Sequence, residues 1–398
     1  MFSERTNWKL AQNRFTCALE QVRAKGARVL DLTVSNPTRT GLHYDSSKIL
    51  AALSSERALD YDPQAKGLQH ARETVAAYYK EEHGQTVDPE RIILTTSTSE
   101  GYSFVFRLLC NAGDELLVPK PSYPLFEFLA DLQDVRLVPY PLIYDHGWQM
   151  DFPSLETAIT PRTRGVVLVH PNNPTGSYVH AGEVAPLNEF CRAHNLALIV
   201  DEVFLDYRLD DQAHASFSGN SDALTFTLSG LSKIAALPQM KVAWIATSGP
   251  EQRVGEAMGR LDVIADTYLS MNAPVQWAIP ALFEQRKGIQ RQLLDRVRRN
   301  LAELDRQLAG QKSCQRLNVE GGWYAVLRVP VMRSDEELAI QLLEQESVLV
   351  HPGHFYDFPR DGYLVLGLIT PEEEFASGCS RVLKTFTTGG TGEHRGHH

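Results

Sequence analysis

Between residues 164 and 204, two short and almost wholly apolar runs, RGVVLVH (164–170) and LALIVDEVF (196–204), flank AGEVAPLNEFCRAHN, whose apolar residues recur at helical spacing. No other feature narrows the folding options as much. Short apolar runs without alternation belong to strands covered on both faces, and strand, helix, strand at this spacing predicts a parallel pair joined by a crossover helix. The pattern extends in both directions. RIILTT (91–96) leads into the helical SEGYSFVFRLLCNAG, DELLVPK (114–120) follows, and DALTFTLSG (222–230) continues the series. The chain therefore reads as α/β, with a three-layer α/β/α large domain built on a mainly parallel sheet.

After Ala273 the texture changes. Ile289, Leu293, Val297, Leu301, Leu304 and Leu308 predict a long amphipathic helix over a basic polar face. GGWYAVLRVP, SVLVHPG and YLVLGLI then read as strands, with SDEELAIQLLEQE and PEEEFASGCSRVLKTF as helices. We expect a large domain over 45–275 and a smaller α+β domain formed by 1–44 and 276–386. TTGGTGEHRGHH (387–398) lacks apolar periodicity and is expected to be a disordered tail.

A net charge of −10 without a long basic block argues against a nucleic-acid partner. The five cysteines are dispersed with no C-x-x-C pair, which suggests neither a disulfide framework nor a metal cluster. The N-terminal MFSERTNWKLAQNRF is charged from its start, and no apolar run is long enough for a signal peptide or a membrane span. A cytoplasmic location with no membrane partner is the expectation.

In an open parallel sheet, ligands bind outside the carboxyl ends of the strands. After RIILTT come Ser97, Thr98, Ser99 and Glu100 at the start of a helix, which reads either as a capping box or as a phosphate site. After GVVLVH comes PNNPTG, which places Asn173 at the sheet edge, and LALIV is followed by Asp201. Lys233, in TLSGLSKIAALPQMKVAW, follows the next strand; taken alone it reads as a loop lysine with its head in water. Together, amide, carboxylate, amine and anion-binding turn suit a phosphorylated pyridine aldehyde: the amine forms its imine, the carboxylate holds its ring nitrogen protonated, the amide meets its ring hydroxyl, and the helix N-terminus takes its phosphate.

On the segments HPNNPTG, DEVFLDY, LSKIAALPQMK and PKPSYPLF, in this order and over roughly Asp31 to Phe386, the sequence resembles the fold-type-I pyridoxal-phosphate enzymes, in particular the class I/II aminotransferases. The resemblance implies pyridoxal 5′-phosphate as cofactor, Lys233 as the Schiff-base lysine and proton shuttle, and Asp201 as the partner of the pyridinium nitrogen. It further implies Asn173 at the ring oxygen, Tyr123 stacked on the ring, Thr98, Ser99 and Ser232 at the phosphate, and Tyr61 reaching the phosphate of a partner subunit, hence a homodimer. The substrates it implies are an amino donor and a 2-oxo acid.

Four positions depart from the family pattern. Phe204 stands where a tyrosine would reach the cofactor ring oxygen, Lys241 where an arginine would fork onto the phosphate, and Gly230 where a serine is common, leaving Ser229 or Ser232 to supply the hydroxyl. Val365 in DGYLVLGLITPEEEF occupies the place of the arginine that binds the substrate α-carboxylate. Asn36 and Arg39 in SNPTRTG are the candidate substrate-binding residues, with Arg360 as a further cation. The expected activity is amino transfer from an amino acid or an unusual amine. The rivals are a pyridoxal-phosphate lyase, decarboxylase or cyclase, and a non-catalytic cofactor-binding regulator.

Overall fold

The computed structural model describes residues 1–387. The tail expected over 387–398 lies, beyond Thr387, outside the described residues.

The central sheet has eight strands: β1 (Ile92–Thr95), β2 (Glu115–Lys120), β3 (Arg136–Tyr144), β4 (Trp148–Met150), β5 (Thr163–Val169), β6 (Ala197–Asp201), β7 (Thr225–Gly230) and β8 (Ala243–Ser248). Their order is β1-β8-β7-β6-β5-β2-β3-β4. The inner run β7-β6-β5-β2-β3 is parallel throughout; β8 is antiparallel to both its neighbours, and β4 to β3. Ile199, Val167 and Phe226 face one side in a core with Phe104, Val105 and Phe106. Leu198, Val200, Val166 and Leu168 face the other, against Leu187 and Phe190 of the crossover helix. Two covered faces explain why these strands lack polar alternation.

The second unit holds a four-stranded antiparallel sheet, in which Tyr324–Arg328 pairs with Tyr363–Gly367, and the latter with His351–Pro352. In a separate two-stranded sheet Leu30–Asp31 pairs in parallel with Val348–Leu349, which ties the N-terminal segment to the small unit. Phe15, Ala18 and Val22 of the helix Arg14–Ala24 share its core with Leu338, Leu342 and Phe375.

The amphipathic helix expected from Ile289 begins 16 residues earlier and runs as a single element from Ala273 to Leu308 (36 residues). Asn272 caps it, its Oδ1 accepting from the Val275 N–H at 3.0 Å. Pro280 lies inside it and has no N–H for the Gln276 carbonyl, a defect that ordinarily breaks a helix. Here the ring nitrogen Nε2 of His70 takes that carbonyl at 3.1 Å, and the imidazole stacks on Trp277 at 4.1 Å. Val275, Ile279, Leu282 and Phe283 pack in one core with Val75 and Trp244, whereas Ile289, Leu293, Val297 and Leu304 pack in the small-unit core.

Candidate active site

Three parallel strands bring the predicted groups together. Asp201 ends β6 in register with Val169 on β5 and Leu228 on β7, so the turns carrying Asn173 and Lys233 leave the sheet on either side of it. Asp201 is held by the Val203 N–H at Oδ1 (3.1 Å) and the Tyr102 hydroxyl at Oδ2 (3.1 Å). Burial raises its pKa to about 6, against these bonds and the nearby Lys233 charge. Lys233 lies in the short helix Leu231–Ile234, where burial lowers its pKa to about 8, opposed by Asp201. Its Nζ stands 4.9 Å from the ring centroid of Trp323 and 5.4 Å from that of Phe204, and its backbone carbonyl is fixed by the Tyr207 hydroxyl at 2.6 Å. A loop lysine with its head in water would show none of this.

Several polar groups around this pair are unpaired. The Oδ1 of Asn173 is buried without a hydrogen-bond partner. At the helix Thr98–Leu109, the Ser97 hydroxyl caps the Glu100 N–H at 3.1 Å, while the Glu100 carboxylate turns back to the Thr96 N–H at 2.7 Å. The hydroxyls of Thr98, Ser99 and Ser232 make no hydrogen bond among the described residues. A cofactor carrying a phosphate and a ring oxygen meets what these groups lack, so the residues present fit it.

Two departures acquire a physical reason. A Cβ on Gly230 would meet the Val242 carbonyl oxygen at 2.7 Å and the Ala243 Cβ at 2.9 Å, so a serine has no room there. Ser229 does not replace it: it is buried, and its hydroxyl turns to the Glu202 carbonyl at 3.4 Å, leaving Ser232. Phe204, 3% exposed, packs edge-to-face on Trp323 (5.2 Å) and Tyr324 (6.1 Å). Lys241 is exposed at the end of the turn Pro238–Met240 with φ +54°, its N–H donating to the Pro238 carbonyl at 3.4 Å and its side chain making no hydrogen bond or ion pair among the described residues.

Tyr123 follows β2 and is 44% exposed, beside Ser122, whose N–H donates to the Tyr356 carbonyl at 2.9 Å. Tyr61 is 84% exposed and lines a separate groove with Arg57 and Trp277. Asn36 lines the cleft over Lys233, its Oδ1 accepting from the Thr38 N–H at 3.1 Å. Arg39 and Arg360 are exposed and outside that lining, Arg360 touching only the Tyr363 hydroxyl among the described residues. The proposed role of either as the replacement cation finds no support in this geometry. Val365 is a core side chain, 1% exposed, in register with Val326 and His351.

The sequence pattern described as Aminotransferase class I and II matches residues 27–379. The chain belongs to this family. Among its relatives, Glutamate-pyruvate aminotransferase AlaA of Escherichia coli K12 is 29% identical over 350 residues, covering 85% of this chain and 86% of the relative. An alanine aminotransferase of Mycobacterium tuberculosis H37Rv is 28% identical over 375 residues, covering 91% and 86%. Of solved structures, an aminotransferase from Escherichia coli superposes with a TM-score of 0.85 at 25% identity over 99% of both chains. An alanine aminotransferase from Pyrococcus furiosus shares the fold with a TM-score of 0.89 at 21% identity, covering 98% of this chain and 100% of that one.

This aminotransferase is thus a pyridoxal-phosphate enzyme that moves an amino group between an amino acid and a 2-oxo acid. Sequence reasoning assigned no role to Tyr102, Tyr207 and Trp323, which brace Asp201 and Lys233. Tyr207 was visible in DEVFLDY; the other two come from distant segments and carry no local signal.

Glu202, beside Asp201, is buried, accepting from the Phe217 N–H (2.6 Å) and the Ser216 hydroxyl (2.7 Å). Burial raises its pKa from 4.5 to about 7. A raised carboxyl pKa means that the folded state favours the protonated form, so this contribution to stability is complete below pH 4.5 and lost as pH rises through 7. In Glu202→Gln, the Tm of the apoprotein is expected to fall less between these pH values than in the wild type. An unchanged slope would refute the assignment.

Proposed function

We propose that Lys233 carries the cofactor and moves the proton, with Asp201 as the partner of the cofactor's ring nitrogen. One observation carries this reading: an amine brought by burial to a pKa of about 8 stands beside a recessed carboxylate, in a site where Asn173 Oδ1 and the hydroxyls of Thr98, Ser99 and Ser232 lack partners. Pyridoxal phosphate, when bound, supplies an aldehyde carbon that takes the amino group and a ring that accepts the electron pair of the donor's Cα–H bond. Asp201 keeps a proton on the ring nitrogen, the Asn173 amide faces the ring oxygen, and Tyr123 covers one face of the ring. Thr98, Ser99 and Ser232 donate hydroxyls to the phosphate, and Lys241 adds charge without a fork. Lys233, neutral for a large fraction of the time near its depressed pKa, would take the donor's α-proton at Nζ and deliver it across the transferred nitrogen to the carbon that had been the cofactor's aldehyde. Asn36 lines the substrate side.

The exposed Tyr61 is suited to reach a second copy of the chain, which supports a homodimer in which the partner subunit's Tyr61 completes the phosphate site. Five free cysteines accord with a reducing, cytoplasmic setting. Because relatives are named for alanine, glutamate and pyruvate, these head the substrate panel.

The test is a half-reaction. Holoenzyme given an amino donor without a 2-oxo acid is expected to release one equivalent of oxo product per subunit and stop. Continued turnover would point to a lyase or decarboxylase and overturn the proposal. Light scattering is expected to give twice the 44.5 kDa of one chain.

A further inference from the structure

The wall of the cleft over Lys233 that carries Ser35 is backed by hydroxyls. Tyr324 stands edge-on to Phe204 with its hydroxyl beside that of Ser35, a residue of the cleft lining. The phenol of Tyr123 is close enough to disfavour ionisation of Tyr324, and both disfavour ionisation of Tyr356. The Tyr356 hydroxyl lies 3.0 Å from Nδ1 of His351, and burial lowers the pKa of that imidazole. The cleft has a volume of about 650 Å3, with Ser35, Asn36 and Thr38 on one side and Lys233, Pro238 and Gln239 on the other. Among the described residues lining it, Lys233 is the only cation.

Arg39, in the loop that carries Ser35 and Asn36, is exposed and outside the lining, and two other cations nearby are already engaged. Lys120 pairs with Asp357 and Glu127. Arg296 is held under the 35–40 loop by the carbonyls of Thr40 (3.1 Å) and Ile369 (3.3 Å), with Glu372 at 3.4 Å. Val365 fills its strand position with an apolar side chain, directly across from His351.

A guanidinium only donates hydrogen bonds and carries charge, so it selects a carboxylate and faces the NH2 of an amide badly. A phenol donates and accepts, so it can bond a neutral carbonyl as well as a carboxylate, and the bond to the carboxylate is stronger by only about 1 kcal/mol. We propose that this wall reads the carbonyl end of the amino donor through neutral groups, Tyr324 foremost, so that the enzyme takes amino-acid amides about as readily as free amino acids. The inference rests on the aminotransferase reading of Lys233 given above.

Two probes that lack an α-hydrogen, 2-methylalanine and 2-methylalaninamide, bind without turnover and report through the cofactor's absorbance. Compared per unit of free amine, their apparent Kd values are expected to agree within about tenfold and to vary little with salt. Tyr324→Phe, which keeps the ring and its packing on Phe204, is expected to weaken both probes by about tenfold while leaving the Tm in place. A larger preference for the carboxylate, or one abolished by Arg39→Ala, would overturn the inference, as would unaltered binding in Tyr324→Phe. If neither probe binds although borohydride still fixes the cofactor on Lys233, this inference alone fails. Absence of that fixation would instead remove the reading of Lys233.

Discussion

Lys233→Ala is expected to lower kcat for transamination by at least about 10⁴-fold, the upper end of what a positioned proton-transfer group contributes, because the same side chain also anchors the cofactor. Its environment explains why no neighbour substitutes. Trp323 and Phe204 flank Nζ with aromatic faces, and the only ionisable group acting on it within the site is the Asp201 carboxylate, already engaged by Tyr102 and Val203. The fold is expected to survive, since alanine suits the helix Leu231–Ile234 and the Tyr207 hydroxyl bonds the backbone carbonyl of residue 233, which the substitution keeps. Borohydride reduction followed by mass spectrometry decides the matter: the wild type is expected to gain the cofactor's mass on the peptide containing Lys233, and the variant nowhere. A variant with more than a hundredth of wild-type kcat would sink the assignment.

Asp201→Asn ranks second, with an expected loss in kcat of about 10³-fold. The carboxylate acts through charge, and an amide of the same shape removes the charge while keeping one acceptor oxygen. Of the two donors that converge on Asp201, the Tyr102 hydroxyl and the Val203 N–H, one then loses its partner, at a cost of about 1–3 kcal/mol in a fold of this size. A second effect separates this role from a merely structural one. Asp201 is the group that holds the Lys233 pKa up against burial, so in Asp201→Asn that pKa is expected to drop below about 8. The lower limb of the kcat pH profile, which reports the bound complex in which the donor has freed the Lys233 amine, should move to lower pH with it. Loss of activity without movement of that limb would point to misplacement of the site rather than lost charge.

What was legible in the chain follows from where each cause resides. The inner strands could be read because both faces of the sheet are covered, which leaves LALIV and GVVLV unbroken by polar residues. Asp201 and Lys233 could be read because strand ends are fixed by those same runs. The true start of the long helix could not. Pro280 signals a break, and its repair comes from His70, 206 residues away from the carbonyl it bonds. Gly230 likewise read as a missing hydroxyl, whereas its cause is the close approach of the Val242 carbonyl just before β8. The bracing of Asp201 by Tyr102, and of Lys233 by Trp323, joins segments whose proximity only the tertiary structure creates.

The helix from Ala273 to Leu308 ties the two halves of the protein energetically. At about 1.5 Å per residue it is a rod some 50 Å long, with Val275 to Phe283 rooted in one core and Ile289 to Leu304 in the other. Neither half keeps a closed interior if its stretch of the rod frays, and fraying at one end strips apolar cover from residues on the next turns. Heat or denaturant therefore meets a single cooperative body, in which loosening the substrate-facing half also loosens the half that holds the cofactor.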